Sequence, residues 1–171
     1  KNLLSNKKGV YTFKYNGIFI KFYLPMLNDY IQKSIYTSKN FYEVAMLEDI
    51  KKRIGHNGVM VDVGANIGNH TLYFSRICKA RKVYAFEPQK NIFDILKTNI
   101  EINNLYGNVE LFNIGLGAEQ SYGSVNVINQ HNYGMSKIEK HENGKVEINT
   151  LDNLLFNKQT MDNLSLYYLL L

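Results

Sequence analysis

The amino-acid sequence predicts an α/β fold in which helices cover both faces of a parallel β-sheet. Three segments have the length and apolar character of buried strands: 59–63, 82–86 and 109–114. The segments between them repeat apolar residues at the helical period. The order strand, helix, strand, helix, strand, with short connections, is typical of such sheets. A length of 171 residues and a hydrophobic content of 45% suit an ordinary folded protein.

The N-terminal part of the chain predicts a hairpin followed by a helix. Bulky β-formers alternate over 10–24 around Asn16-Gly17, a dipeptide suited to the positive φ angles of a tight turn. Apolar residues then recur at helical spacing from Phe41 to Ile54, and Gly55 follows where a helix C-cap would lie. We therefore divide the chain into an N-terminal hairpin and cap segment, 1–40, and a core, 41–171.

Two further helices and a second hairpin complete the expected elements. One helix should run from Ile67 to Cys78, and the next should begin at Asn91, with Asp94 three residues later in a capping arrangement. After Gly117 the pattern changes to alternating residues over 123–128 and 145–150, joined by a polar loop. This pattern predicts a β-hairpin inserted next to the sheet.

The predicted site lies at the carboxyl ends of the first two core strands. Asp62 is a carboxylate inside an apolar strand, where burial is costly unless a partner compensates. A turn from Gly64 to Gly68 follows, and Glu87 ends the next strand, where an acidic residue can hold ribose hydroxyls. These features predict a nucleoside-bearing ligand. The alternative for Asp62 is a buried carboxylate that only caps the turn through backbone N–H groups.

The residue at the centre of the turn selects among nucleoside ligands. A dinucleotide site needs glycine there so that the pyrophosphate can approach the backbone, but this chain has Asn66. A nicotinamide-dependent oxidoreductase is disfavoured for that reason. S-adenosylmethionine has no phosphate, and the carboxylate of Asp62 suits its cationic amino acid end.

The segment from Val61 to Thr71, with Tyr84-Ala85-Phe86-Glu87-Pro88, closely resembles the first two motifs of FkbM-like class I methyltransferases. The resemblance extends from Phe41 to Asp152 and implies a Rossmann-like domain that binds S-adenosylmethionine. It also implies O-methylation of a hydroxyl on a small molecule or sugar. The cofactor-binding residues expected on this basis are Asp62, Gly64, Ala65, Asn66, Gly68, Asn69, Glu87 and Pro88, with Asn113 and Gly115 near the adenine.

The C-terminal end departs from that family. Its members continue into a fourth strand with an acidic ending, whereas here Tyr167-Tyr168-Leu169-Leu170-Leu171 follows the approach at 163–166. We expect an incomplete seven-stranded sheet, a truncated chain and an apolar edge strand through which copies could pair as a homo-oligomer. The alternative function is a cofactor-binding or interaction module without turnover.

The catalytic base is not defined by the sequence. His70 and His131 are candidates for accepting a hydroxyl proton, as is His141 in the same loop as His131, and each is also explained as an ordinary polar residue. Cys78 is expected to be a small buried hydrophobe. No spacing of metal ligands is evident, so we expect no metal.

Charge and segment patterns limit the partners. The net charge of +5 arises from scattered basic residues, which favours a solvated basic surface and a small-molecule or glycan acceptor over specific nucleic-acid binding. No apolar run has the roughly 20 residues that span a bilayer. A single cysteine suits a reducing compartment, and we expect a cytoplasmic protein.

Overall fold

A four-stranded parallel sheet forms the centre of the molecule. The computed structural model describes residues 8–54, 57–126, 132, 134 and 136–156, together with the backbone of 166–170. The sheet contains β3 (Val59–Val63), β4 (Lys82–Phe86), β5 (Val109–Phe112) and β10 (Leu166–Leu170), in the order β10-β3-β4-β5. Every neighbouring pair is parallel, which confirms the sequence prediction of a parallel α/β sheet.

Two crossover helices connect the central strands. α3 (Asn69–Arg76) joins β3 to β4, and α4 (Lys90–Ile102) joins β4 to β5. The prediction that Asn91 caps α4 is wrong, because Gln89 is the N-cap residue and Asp94 instead pairs with Lys90. The helix begins earlier because the N–H of Phe93 donates to the Gln89 carbonyl at 2.7 Å and closes the first turn there.

The N-terminal hairpin has the predicted turn. β1 (Val10–Tyr15) and β2 (Ile18–Tyr23) pair antiparallel. Both turn residues have positive φ, 45° at Asn16 and 84° at Gly17, as a two-residue type I′ turn requires.

Two helices follow the hairpin. α1 (Tyr30–Ser38) begins at Asp29, whose carboxylate accepts a hydrogen bond from the backbone N–H of Gln32 at 3.0 Å. α2 (Val44–Arg53) is shorter than the predicted helix, because Glu43 adopts a left-handed backbone conformation and only the residues after it are helical. Gly55, the expected C-cap of this helix, lies outside the described residues.

A second sheet takes the place of the predicted inserted hairpin. It contains β6 (Gly115–Leu116), β7 (Ser121–Asn126), β8 (Lys137–Lys140) and β9 (Val146–Asn149), in the order β6-β9-β7-β8. The predicted antiparallel pairing of β7 with β9 is present, but β8 was expected to be loop. Its four residues include three charged ones around Ile138, so it lacks the apolar content that identifies a strand. A π-helical turn, Asp152–Phe156, follows β9.

One hydrophobic core unites the N-terminal hairpin, the helices and the central sheet. The aromatic ring of Phe41 packs edge-on against Phe13, Phe22 and Tyr73, with ring centroids between 5.1 and 6.0 Å apart. The hairpin therefore shares its packing with α3. The backbone of β2 is also bound to α4, because the N–H of Tyr23 donates to the side chain of Asn99 at 2.6 Å.

Candidate functional site

The connection between β3 and α3 is fixed against the end of β4. The backbone N–H groups of Gly64 and Ala65 both donate to the carbonyl of Phe86 at 2.9 Å. Three positive φ angles bend the chain, 73° at Gly64, 50° at Asn66 and 90° at Gly68. Glycine is needed at position 68 for a second reason, since a Cβ there would lie 2.6 Å from a methyl carbon of Leu96.

Glu87 lies directly beside this connection. Its side chain is buried, and its two carboxylate oxygens accept one backbone hydrogen bond each, from Asn66 at 2.9 Å and from Gln89 at 2.8 Å. Burial raises the pKa of Glu87 to about 7, although these two N–H groups oppose the shift. Each oxygen retains capacity for a further donor, so this carboxylate can receive a pair of hydroxyl groups.

A cavity of about 450 Å³ opens at this edge of the sheet. Its walls come from the β3–α3 connection, the segment after β4, the residues before α2, and the region around β6 and β8. The volume is within the range for small-molecule sites. Of the residues expected at the site, those that line it are Gly64, Ala65, Asn66, Asn69, His70, Glu87, Pro88 and Gly115.

Asp62 is close to this cavity but does not line it. Its side chain is fully buried, and one carboxylate oxygen accepts a hydrogen bond from the hydroxyl of Thr71. Among the described residues, the other oxygen has no hydrogen-bond partner. Burial raises the pKa of Asp62, and His70 and the hydroxyl and N–H of Thr71 act in the opposite direction. Asp62 therefore supports the first turn of α3 from beneath.

Three other predicted residues have distinct places. The side chain of Asn113 donates to the carbonyls of Glu87 and Pro88, at 2.8 and 3.1 Å, and so fixes the segment after β4 from outside the cavity. Gly68 is the N-cap residue of α3, behind the cavity wall. His131 lies outside the described residues.

Asn69 fastens the segment before α2 over the cavity. Its side-chain amide donates to the carbonyl of Tyr42 and accepts from the N–H of the same residue, both at 2.9 Å. This double contact brings Glu43 to the cavity wall, where its carboxylate lies 3.5 Å from Nε2 of His70. Burial and the neighbouring Glu43 raise the pKa of Tyr42.

Sequence reasoning missed this part of the site. Glu43 precedes a predicted helix and belongs to no glycine-rich motif, so its position becomes visible only through the contact between Asn69 and Tyr42. The wall around β8 was missed as well, and it supplies Ser136 and Ile138. Gly134 belongs to the same wall, where a Cβ would lie 3.0 Å from Ile31 of α1.

The residues present suit S-adenosylmethionine. Glu87 offers two acceptor oxygens for ribose hydroxyls, and the charged residues among the described lining are the acids Glu43 and Glu87. A cationic nucleoside without phosphate matches that charge. Behind the connection, one buried oxygen of Asp62 has no hydrogen-bond partner among the described residues.

A second cavity, of about 520 Å³, lies among Tyr15, Glu48, Tyr73 and Cys78. The Tyr15 hydroxyl donates to Glu48 at 2.7 Å. Cys78 is buried, and burial raises the pKa of its thiol to about 11, so the thiol stays protonated near neutral pH. This agrees with the expectation of a small buried hydrophobe.

The described residues contain no group of three or more potential metal ligands. Within the same part of the chain, no helix is long and apolar enough to cross a bilayer.

The fold and the site together define a class I S-adenosylmethionine-dependent methyltransferase domain. Comparison with known families gives the specific group: residues 27–126 match the TRM5/TYW2 methyltransferase domain. Because this match covers more than half of the chain, the chain belongs to the TRM5/TYW2 methyltransferase domain family. Its cofactor is therefore S-adenosylmethionine.

Two fungal proteins are similar in sequence. Methyltransferase sdnD of Sordaria araneosa is 34% identical over 89 residues, which cover 52% of this chain and 31% of that protein. Methyltransferase 1 of Beauveria bassiana (strain ARSEF 2860) is 34% identical over 93 residues, with coverage of 54% and 34%. The chain thus spans about a third of the length of these relatives.

Among solved structures, TYW2 of M. jannaschii in complex with AdoMet is 25% identical, with a TM-score of 0.39. The match covers 63% of this chain and 44% of that one.

Proposed function

We propose that this domain transfers the methyl group of S-adenosylmethionine to a hydroxyl group of a small molecule or sugar. The observation that carries the proposal is the cavity between the β3–α3 connection and Glu87. The charged residues that line this cavity, among those the structure describes, are acidic. The resemblance of 61–71 and 84–88 to FkbM-like enzymes supports a hydroxyl acceptor.

When bound, the cofactor supplies an electrophilic methyl group on a positively charged sulfur. The protein's contribution to the reaction is to hold the acceptor hydroxyl in line with that methyl group and to exclude water from the cavity. Glu87 would bind the ribose hydroxyls. The N–H groups of Asn66 and Gln89 would fix the carboxylate for that purpose.

His70 is our candidate for the group that takes up the hydroxyl proton. Its side chain lines the cavity, and Nε2 is buried without a hydrogen-bond partner in the part of the chain that the structure describes. The nearest acid, Glu43, is 3.5 Å away, which is longer than a well-formed hydrogen bond. A neutral imidazole in this place can accept a proton and pass it to water.

The family match favours a second candidate, methylation of a tRNA base. Membership of the TRM5/TYW2 family and the net charge of +5 support it. However, proteins that bind nucleic acid position the phosphates with Lys and Arg, and the described cavity lining contains neither. We therefore favour an acceptor without phosphate.

A single assay separates these candidates. The protein is incubated with radiolabelled S-adenosylmethionine and either a panel of sugars and small alcohols or total tRNA, and the labelled product is identified. We expect label on a hydroxyl oxygen, and its loss in Glu87→Gln. Label in tRNA alone would reverse the choice of acceptor.

Binding of the cofactor without label in any pool would favour the non-catalytic module, and calorimetry that showed NAD binding instead would reject the proposal.

A further inference from the structure

We infer that Glu43 binds the cationic amino group of the methionine part of S-adenosylmethionine. The inference deepens the proposed function and depends on it for the identity of the ligand. It also reassigns a role, because the sequence pointed to Asp62 for the cationic end of the cofactor. The structure places Asp62 beneath the cavity wall and Glu43 on its surface.

The position of Glu43 is fixed by its neighbours. Tyr42, the residue directly before Glu43, is anchored on α3 because its backbone forms a double hydrogen bond with the side chain of Asn69. Glu43 itself has a φ of 55° and lies at the N-cap of α2, yet its side chain makes no capping hydrogen bond. A non-glycine residue held in the left-handed region is unusual and often marks a functional position.

The carboxylate of Glu43 is accessible to a ligand. Its side chain is 38% exposed and lines the cavity, whereas the nearby imidazole of His70 is 8% exposed. His70 Nε2 lies 3.5 Å from this carboxylate and the hydroxyl of Tyr42 contacts it, and its two oxygens retain capacity to accept from a stronger donor. An ammonium group is such a donor, since charge-assisted hydrogen bonds are stronger than neutral ones.

The two acids of the cavity are arranged as a nucleoside amino acid requires. Glu87 contacts Asn66 in the connection, and Glu43 faces His70, four residues later in the first turn of α3. One carboxylate is therefore available beside the centre of the turn and the other beside the start of α3. Glu87 would take the ribose hydroxyls and Glu43 the ammonium.

Two ligands that differ in the amino acid part test this assignment. S-adenosylhomocysteine carries the ammonium, while methylthioadenosine has the same nucleoside and thioether but lacks it. Titration calorimetry would measure the affinity of both for the wild type, Glu43→Gln and Glu87→Gln. We expect Glu43→Gln to weaken S-adenosylhomocysteine at least about tenfold and to leave methylthioadenosine within about twofold. Glu87→Gln should weaken both ligands.

Two further variants control the measurement. Glu119→Gln changes an exposed carboxylate away from the cavity and should leave both affinities unchanged. Glu43→Asn tolerates the left-handed backbone better than most residues, so it replaces Glu43→Gln if circular dichroism shows that the latter is misfolded.

Each outcome has a defined meaning. Equal effects of Glu43→Gln on both ligands, or no effect on either, would overturn the assignment while leaving the cofactor intact. A wild type that binds neither ligand would overturn the assignment together with the proposed function. The expected pattern without methyl transfer to any hydroxyl would support the assignment and reject the proposed acceptor.

Discussion

At the scale of single residues, Glu87 combines two demands that conflict. The carboxyl is buried, which favours the protonated form, but ribose hydroxyls need an ionised acceptor. Its pKa of about 7, against an ordinary value of 4.5, is the result of that burial. Cofactor binding and folding should therefore both depend on pH near neutrality.

The first prediction concerns that pH dependence. The ionised fraction of a group with a pKa near 7 rises about tenfold between pH 6 and pH 8. The affinity for S-adenosylhomocysteine should rise by a similar factor in the wild type and should change much less in Glu87→Gln. Calorimetry at several pH values measures this, and a flat wild-type profile would contradict it.

The raised pKa of Glu87 affects the stability of the fold in the opposite direction: a higher pH should favour cofactor binding but reduce this group's contribution to stability. Because the folded state holds the Glu87 proton more tightly than the unfolded state, this group stabilises the fold less as pH rises from about 4.5 to 7. In urea unfolding without ligand, the free energy of unfolding of Glu87→Gln should increase relative to that of the wild type as the pH rises over that range. An unchanged difference between the two proteins would argue against a raised pKa.

The second prediction separates the charge of Asp62 from its support of Thr71. Asp62→Ala removes the acceptor for the Thr71 hydroxyl and should lower the free energy of unfolding by about 1–3 kcal/mol. Asp62→Asn keeps an acceptor oxygen and should cost less. Urea denaturation compares the two variants, and equal losses would show that the charge itself stabilises the fold.

Asp62 and Glu43 also show how far the sequence defines the site at this scale. A carboxylate in an apolar strand is visible in the sequence, so Asp62, Asn66 and Glu87 could be predicted to lie near one another. Glu43 could not be found in this way, because its position depends on a contact between Asn69 and a backbone 27 residues away. The role of Asp62 in cofactor binding stays a prediction, which the affinity of Asp62→Asn would test.

At the scale of elements, Asn99 of α4 links the N-terminal hairpin to the connection between β3 and α3. Its side chain is fully buried, accepts from the N–H of Tyr23 and donates to the carbonyl of Ile67 at 2.8 Å. One amide thus satisfies two backbone groups from separate elements.

The third prediction follows from that link. Asn99→Ala should lower the free energy of unfolding by about 2–4 kcal/mol, because it leaves two backbone groups unsatisfied. Asn91→Ala, at an exposed position on the same helix, should change stability by less than about 0.5 kcal/mol. Urea unfolding measures both. A large loss in Asn91→Ala would restore the rejected idea that this residue caps α4.

Elements differ in how much of them the sequence reveals. β3 and β4 match their predicted bounds, because continuous apolar runs between glycine or charged residues leave little ambiguity. β8 was missed because its residues are charged and largely exposed, so its pairing with β7 depends on backbone hydrogen bonds. The shortened α2 reflects the backbone conformation of Glu43, which no local pattern indicates.

At the scale of the whole molecule, β10 completes the central sheet. Its five residues pair with β3 in parallel along the full length of that strand. The sequence suggested a fourth strand here with an unusual apolar ending, and the backbone of 166–170 is a strand in the structure. Within the described residues, the other side of β10 has no strand beside it, so we still propose pairing between copies at this edge.

The fourth prediction concerns this strand. Deletion of 157–171 should lower the free energy of unfolding by at least about 2 kcal/mol, since the backbone hydrogen bonds between β10 and β3 are lost. A control that replaces 166–170 with Thr-Val-Thr-Val-Thr keeps a strand-forming backbone and should retain much of the stability. Urea unfolding measures both proteins. No loss on deletion would mean that β10 contributes little.

The acidic lining of the cavity has a consequence for turnover. Glu43 and Glu87 line the cavity that we propose for S-adenosylmethionine, whose sulfur is positively charged before methyl transfer and neutral afterwards. Carboxylates attract the charged form more strongly than the neutral one, so the same side chains that favour loading of the methyl donor also weaken retention of the spent nucleoside. The loss of the positive charge on sulfur should therefore promote release of the product.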